Sequence, residues 1–423
     1  MKKTLLPLLL LLLSLHSFAG FDDLFLNKTL RIDFYHTGNS KQEMFSIDQL
    51  KSEPFWGGSH TMLLDTLNYG VYYFKAFDTR SGKLIYSHGY CSLFDEWQYT
   101  DEAKKTTRTF SETVVMPFPK NDVRVEFYTR NLLGVYEKKF EYTVEVNSYF
   151  ISDERQMAYP VYDALVSGDP AKKIDIVILP EGYTAKEMDR FKVDCDKFAA
   201  GLFAFEPYSK NRDKFNIRAV MAPSAESGTD IPGDKVYRNT ILNSTFYTFD
   251  SERYLMTTDN KSVRNLAANA PYDQIYILVN TTKYGGGAIY NFYNTSVNSN
   301  ASSAKIFVHE FGHGFAALGD EYDDGSTSFN DMYPLNLEPW EPNITTLAKF
   351  ETKWKGMLPA STPIPTPAEK SQAYPLGVYE GAGYVSKGIY RPAPDCLMRT
   401  FRGDKFCPVC SAAIQKMIDF YTR

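Results

Sequence analysis

The sequence predicts a mixed α+β fold in two parts: an N-terminal β-sandwich, then a mixed sheet with one central helix and a closing C-terminal helix. Three observations carry this. Residues 21 to about 150 alternate bulky apolar and polar residues over short runs, with no long helical stripe. After Phe150 a continuous apolar run, KKIDIVILPEGYT (172–184), leads into a helical pattern and then a further strand. The chain closes on PVCSAAIQKMIDFYT (408–422), whose apolar residues recur at helical spacing.

Taken in order, residues 1–19 stand apart as a leader. Lys2 and Lys3 form a positive start, Leu5 to Leu15 a short apolar core, and Ser17 and Ala19 a small-x-small cleavage site before Gly20. An exported protein is expected, periplasmic or extracellular. The leader is too short to span a bilayer, and nothing downstream approaches the roughly 20 apolar residues a membrane helix needs. The formal charge is −5 and no basic run occurs. Nucleic acid and anionic lipid are therefore not expected as partners.

Residues 20–150 are expected as the sandwich. LRIDFYH (30–36), VYYFKAF (71–77), VRVEFYTR (123–130) and FEYTVEV (140–146) have the period-2 pattern of half-buried strands, with turn signals such as TGNS and PKND between them. Residues 151–423 are expected as a second domain. Its first strand ends in Pro-Glu-Gly, and 185–205 follows as a helix with Met188, Phe191, Cys195, Phe198 and Leu202 on one stripe. FNIRAVMAPS (215–224) is the next strand, and 273–297 supplies two more around Tyr284-Gly-Gly-Gly287. Residues 325–394, rich in Pro, Gly, Thr and Tyr, read as mostly irregular.

The chemistry lies in HEFGHGFAALGDEY (309–322). SAKIFVHEFGHGFAAL is a good helix, with Ser302 and Ser303 as cap signals. A spacing of four puts His309 and His313 on one face, where both imidazoles reach one cation. Glu310 lies a step round the helix. Zinc lowers the pKa of a water it binds to about 7, and Glu310 is placed to take that water's proton. This is the H-E-x-x-H pattern of zinc hydrolases.

No other histidine is nearby in sequence to serve as third ligand, because the chain's other four stand at 16, 36, 60 and 88. The helix is expected to run to Leu318 and stop at Gly319, whose freedom at positive φ suits a helix end. Asp320 then points back to the metal. Glu321 faces elsewhere or braces a histidine, and Asp323 and Asp324 are solvated turn residues.

Five cysteines occur, at 91, 195, 396, 407 and 410, an odd number. A disulfide from Cys396 to Cys407 or Cys410 is expected. A structural zinc at these three would need a fourth ligand, and no histidine is at hand. Cys407-Pro-Val-Cys410 lacks the strand context of a redox dithiol. Arg399 and Arg402 are either cleft-lining or solvated.

Together the GDEY ending of the histidine motif, the CLMR stretch at 396–399, the FCPVC segment and the strand ending in LPEGY resemble one family. It is the IgA-peptidase family of bacterial zinc metallopeptidases, which is metzincin-like. The resemblance covers about residues 150–423, and 21–150 looks like the domain that precedes it. It implies a zinc endopeptidase with one catalytic Zn2+, ligands His309, His313 and Asp320, and Glu310 as general base. Met398 would form the methionine turn beneath the histidines. The third-histidine position of the metzincin pattern is Gly319, so there the sequence departs from it. Around Tyr284, Gly285, Gly286, Gly287 and Ala288 the resemblance implies an edge strand that pairs with extended substrate. It does not imply that immunoglobulin A is cut.

Two rivals stand beside this reading. One is an exopeptidase of gluzincin type, with Glu338, Glu341 or Glu351 as third ligand. The other is a non-catalytic protein whose N-terminal domain binds a glycan or protein.

Overall fold

The structure is a computed structural model that describes residues 20–155, 157–323 and 332–423. The leader at 1–19 and Asp324 lie outside the described residues.

The N-terminal region opens with a one-turn helix, α1 (Phe21–Leu24), and continues through β1 (Phe25–Gly38), β2 (Glu43–Glu53), β3 (Tyr72–Asp78) and β4 (Leu84–Tyr90). A short helix, α2 (Leu93–Gln98), precedes β5 (Arg108–Pro119), β6 (Val123–Arg130), β7 (Tyr136–Val144) and β8 (Ile151–Ser152). These strands make two sheets, ordered β5-β1-β2-β8 and β4-β3-β6-β7. All pairs are antiparallel except β2 with β8. Period-2 alternation turns Phe34 and Phe45 of one sheet toward Phe74 and Phe127 of the other. Phe34 meets Phe127 at 4.9 Å between ring centroids, edge to face. The expected β-sandwich is therefore present, with more strands than the four clearest runs supplied.

The second region contributes β9 (Val161–Leu165), β10 (Ile174–Glu181), α3 (Met188–Leu202), β11 (Phe215–Val220) and α4 (Asn260–Ala267). Then come β12 (Gln274–Val279), β13 (Gly286–Ile289), β14 (Tyr293–Val297), α5 (Ser303–Ala316), the hairpin β15 (Tyr379–Ala382) with β16 (Val385–Arg391), and α6 (Pro408–Tyr421). The six-stranded sheet runs β13-β14-β12-β10-β11-β9. Its four inner strands are parallel and both edges antiparallel. Every residue of β10 is buried, as a strand covered on both faces requires. The expected helix after it buries Phe191, Cys195, Phe198 and Leu202. Residues 273–297 hold three strands rather than two, because the glycines themselves begin β13. The expected irregular stretch holds one hairpin.

α5 lies against β13 and β14, with Phe307 stacked on Tyr276 at 3.9 Å and packed on Phe198 of α3 at 5.0 Å. The sandwich also meets α4 of the second region directly. Arg31 Nη1 donates to Asn265 Oδ1 at 2.8 Å, and Asn260 Nδ2 donates to Thr113 Oγ1 at 2.8 Å.

Candidate metal centre

α5 begins at Ser303 with Ser302 as N-cap, yet the Ser302 side chain makes no capping bond. The entry is fixed instead by Asn300, whose N–H donates to Ser303 Oγ at 2.8 Å and whose Oδ1 accepts from Ser302 N–H at 3.0 Å. The helix also ends two residues earlier than expected, at Ala316. Ala317, not Gly319, takes the left-handed conformation at φ 58°, and its N–H donates to the carbonyls of Gly312 and His313. Gly319 sits tightly instead: a Cβ there would lie 3.0 Å from Ile344 Cδ1. Asn343 grips Gly319 at both ends, accepting from its N–H at 2.7 Å and donating to its carbonyl at 2.9 Å. That grip delivers Asp320 to the histidines.

One turn of helix sets His309 Nε2 and His313 Nε2 3.1 Å apart, with the rings at 88°. Asp320 Oδ1 lies 3.2 Å from the first and 3.3 Å from the second. Ligands about 2.0–2.1 Å from a tetrahedral zinc stand about 3.3 Å from one another. The triangle fits such an ion. The tautomers fit too. His309 Nδ1 faces the Leu397 carbonyl at 3.0 Å and His313 Nδ1 faces the Leu318 carbonyl at 2.5 Å. A carbonyl only accepts, so each Nδ1 carries a proton, and Nε2 is the ring atom each histidine would offer to a cation in the triangle. Asp320 Oδ1 is buried and receives no hydrogen bond, while Oδ2 accepts from Tyr384 Oη at 2.7 Å.

Charge follows this geometry. Burial opposes a cation at His313, but Asp320 outweighs it and raises the imidazole to about 9. Burial would raise the Asp320 carboxyl, yet the two histidines hold it well below the usual carboxylate range. The field favours a cation at the triangle. Glu310 is pushed up by burial despite the two histidines. Glu310 also explains a glycine: a Cβ on Gly286 would stand 2.9 Å from Glu310 Oε1.

The cleft over these groups has a volume of about 300 Å³. The segment Tyr284–Ala288 lines it, as do Arg399, Glu341 and Glu96. β13 is an edge strand, but only part of its outer edge is open. Gly286 N–H donates to the Arg253 carbonyl at 3.3 Å, and its own carbonyl accepts from Leu255 N–H at 3.2 Å. Alternation leaves the backbone of Ala288 as the next outward-facing pair. Met398 is fully buried under the helix, its Sδ 2.9 Å from where a Cβ on Gly312 would stand.

Against known protein families, the IgA Peptidase M64 model matches residues 163–375 and 368–418, and the Peptidase M64 N-terminus model matches residues 20–141. The first covers more than half of the chain. The chain belongs to the IgA peptidase family. No curated protein gives a significant match. Membership makes the protein a peptidase, and it carries a His309, Glu310 and His313 group able to hold a metal, compatible with zinc. Among the described residues no helix is long and apolar enough to cross a membrane.

One expectation is corrected, and several open alternatives are resolved. All five cysteines are thiols, and Cys396 Sγ lies 3.7 Å from Cys410 Sγ, beyond the roughly 2.05 Å of a disulfide. The expected pairing of Cys396 with Cys407 or Cys410 is thus not formed. Glu321 braces neither histidine, since carbonyls hold both Nδ1 atoms; it turns to Cys410. Glu341 is held by Tyr333 Oη at 2.9 Å, and Glu338 lies 4.0 Å from Lys353 Nζ. Arg402 is exposed, whereas Arg399 reaches the cleft. The sequence reading missed Glu96 of α2, which the sandwich sends into the cleft to accept from Tyr254 Oη. Burial raises Glu96 to about 7 even against that bond. No local pattern in LFDEWQ marks it. Tyr384 was missed for the same reason.

Proposed function

We propose that this peptidase is an exported, zinc-dependent endopeptidase that cuts extended segments of protein substrates, with residues 20–150 and 151–423 as its two domains. His309, His313 and Asp320 would hold one zinc ion. When bound, zinc supplies Lewis acidity, which polarises a peptide carbonyl and lowers the pKa of water. Glu310 takes the proton from the attacking water and delivers it to the leaving amine. Its burial favours keeping that proton until the amine needs it. Tyr384 holds Asp320 through its outer oxygen, and the outward backbone of Ala288 offers an extended substrate a partial strand to pair with. Met398 supports the helix from below.

The observation that carries this reading is the convergence of His309 Nε2, His313 Nε2 and Asp320 Oδ1 at 3.1, 3.2 and 3.3 Å from one another beside Glu310. The charged leader pattern at 1–19 supports export. Asp320 Oδ1, at 3.2 and 3.3 Å from the two histidines, favours this reading over a gluzincin-type ligand at Glu338, Glu341 or Glu351.

The test is Glu310→Ala with an unfolded protein as substrate and fragments mapped by mass spectrometry. The variant should keep its metal and lose cleavage by about 10²- to 10⁴-fold. Cleavage at the parental rate would overturn the mechanism, and release of terminal residues alone would overturn the endopeptidase assignment.

A further inference from the structure

A second group of ligand atoms lies behind the first. Glu321, Cys396, Cys407 and Cys410 each offer one atom, and all four atoms fall within 4.8 Å of one another. None is more than 3 % exposed. The Cys396 and Cys410 sulfurs are 3.7 Å apart, and Glu321 Oε1 is 3.0 Å from Cys410 Sγ. Thiolates about 2.3 Å from a tetrahedral zinc stand about 3.8 Å from one another.

Backbone N–H groups point at two of the three sulfurs. Cys407 N–H donates to Cys396 Sγ at 3.2 Å, and Cys410 N–H donates to Cys407 Sγ at 3.4 Å. Cys407 is the N-cap of α6, where the helix dipole and free N–H groups favour negative charge. Cys407-Pro-Val-Cys410 has the two-residue spacing of zinc knuckles. The loop from Cys396 folds back through Leu397 N–H to the Lys405 carbonyl at 3.0 Å and brings the third sulfur alongside. An independent sign comes from Glu321. It is fully buried, and while Oε1 accepts from Asn343 Nδ2 at 3.0 Å, Oε2 has no hydrogen-bond partner. Burying a carboxylate oxygen unpaired is costly unless a cation meets it.

We infer that Cys396, Cys407, Cys410 and Glu321 form a second, structural site for a thiophilic divalent cation such as zinc. The carboxylate that follows the third ligand of the first centre is the fourth ligand that the three cysteines lacked in sequence. The site is built to brace the catalytic centre. Cys396 precedes Leu397, whose carbonyl fixes His309, and Glu321 N–H donates to the Met398 carbonyl at 2.9 Å. A cation here would pin both chain segments that flank the His-His-Asp triangle. The inference does not depend on the catalytic reading.

The test loads cobalt(II) into the parent and into a His309→Ala/His313→Ala variant, which removes the first centre alone. Metal content should fall from about two per chain to about one. The thiolate-to-cobalt charge-transfer band in the near ultraviolet should persist in the histidine variant and vanish in Cys407→Ser/Cys410→Ser. Because the cysteine variant risks misfolding, the histidine variant is decisive. Unfolding the parent in chelator should expose five titratable thiols. Absence of the thiolate band from the histidine variant would overturn the site. So would a thiol count two short of five, which would mean that the sulfurs pair as a disulfide.

Discussion

Asp320 and Glu321 are consecutive, yet they serve opposite clusters: Asp320 Oδ1 reaches His309 and His313 Nε2 at 3.2 and 3.3 Å, and Glu321 Oε1 reaches Cys410 Sγ at 3.0 Å. Their backbone is held on both sides. The Asp320 carbonyl accepts from Gly383 N–H at 2.9 Å, and Glu321 N–H donates to the Met398 carbonyl at 2.9 Å. The triangle is thus positioned by three distant stretches: the Asn343 clamp, the β15–β16 turn and the Cys396–Met398 loop. Substitutions outside the triangle should therefore act on it.

Tyr384→Phe tests the turn. The lost hydroxyl leaves Asp320 Oδ2 without its 2.7 Å donor, so the carboxylate is free to rotate away from the histidines. Metal affinity should fall about 10- to 100-fold, as for other groups that orient a ligand. Competition with a graded series of chelators measures it. Unchanged affinity would show that the Asn343 clamp alone suffices.

Gly286→Ala tests the close approach of β13 to the general base. The added methyl would sit 2.9 Å from both Glu310 Oε1 and Ile306 Cγ2, too close for either to stay. The flexible carboxylate gives way more easily than the helix. Peptide cleavage should drop by about 100-fold, the scale for a displacement near 1 Å at a reacting group. Metal content should stay at the parental level, and a parallel loss of metal would place the damage in the helix instead.

How much of this was legible depended on range in sequence. His309 and His313 were legible because helical periodicity alone brings them together, and β10 because a strand buried on both faces must be apolar throughout. Asp320 was legible through proximity, although the reason offered for it failed. The left-handed residue is Ala317, and Gly319 lies close against Ile344 and Glu341. Glu96, Tyr384 and Asn343 come from loops and a short helix remote from the motif, and no local spacing encodes a tertiary contact. Glu321 shows the same limit: three cysteines announced themselves, and their partner was hidden beside another motif.

Met398→Ala tests the floor beneath α5. The side chain is fully buried, its sulfur fills the space under Gly312, and its neighbour Leu397 anchors His309. Truncating a buried Met to Ala costs about 2–5 kcal/mol through lost burial and the cavity left behind. Chemical denaturation should show a lower midpoint at unchanged slope. A midpoint within error of the parent would mean that the loop collapses onto the helix and the methionine is dispensable.

His36 makes the sandwich sensitive to pH. The imidazole is buried between the rings of Phe94 and Phe45, with centroids at 3.7 and 4.1 Å. Its Nδ1 faces Glu112 at 3.2 Å and its Nε2 faces Glu43 at 3.2 Å. Burial opposes the charged ring, but Glu112 and Glu43 outweigh it, so the folded pKa lies above the ordinary 6.5. The folded state then holds the proton more tightly than the unfolded state does. That contribution is fully present below about 6.5 and is lost as pH rises through the higher folded value. Calorimetric unfolding of the parent and of His36→Gln, compared from pH 5.5 upward, checks this. The parent's advantage in Tm should shrink as pH rises, because its imidazole becomes neutral between two carboxylates. A gap that stays constant, or widens with pH, would mean that His36 is neutral in the fold and that one of the two glutamates carries the proton instead.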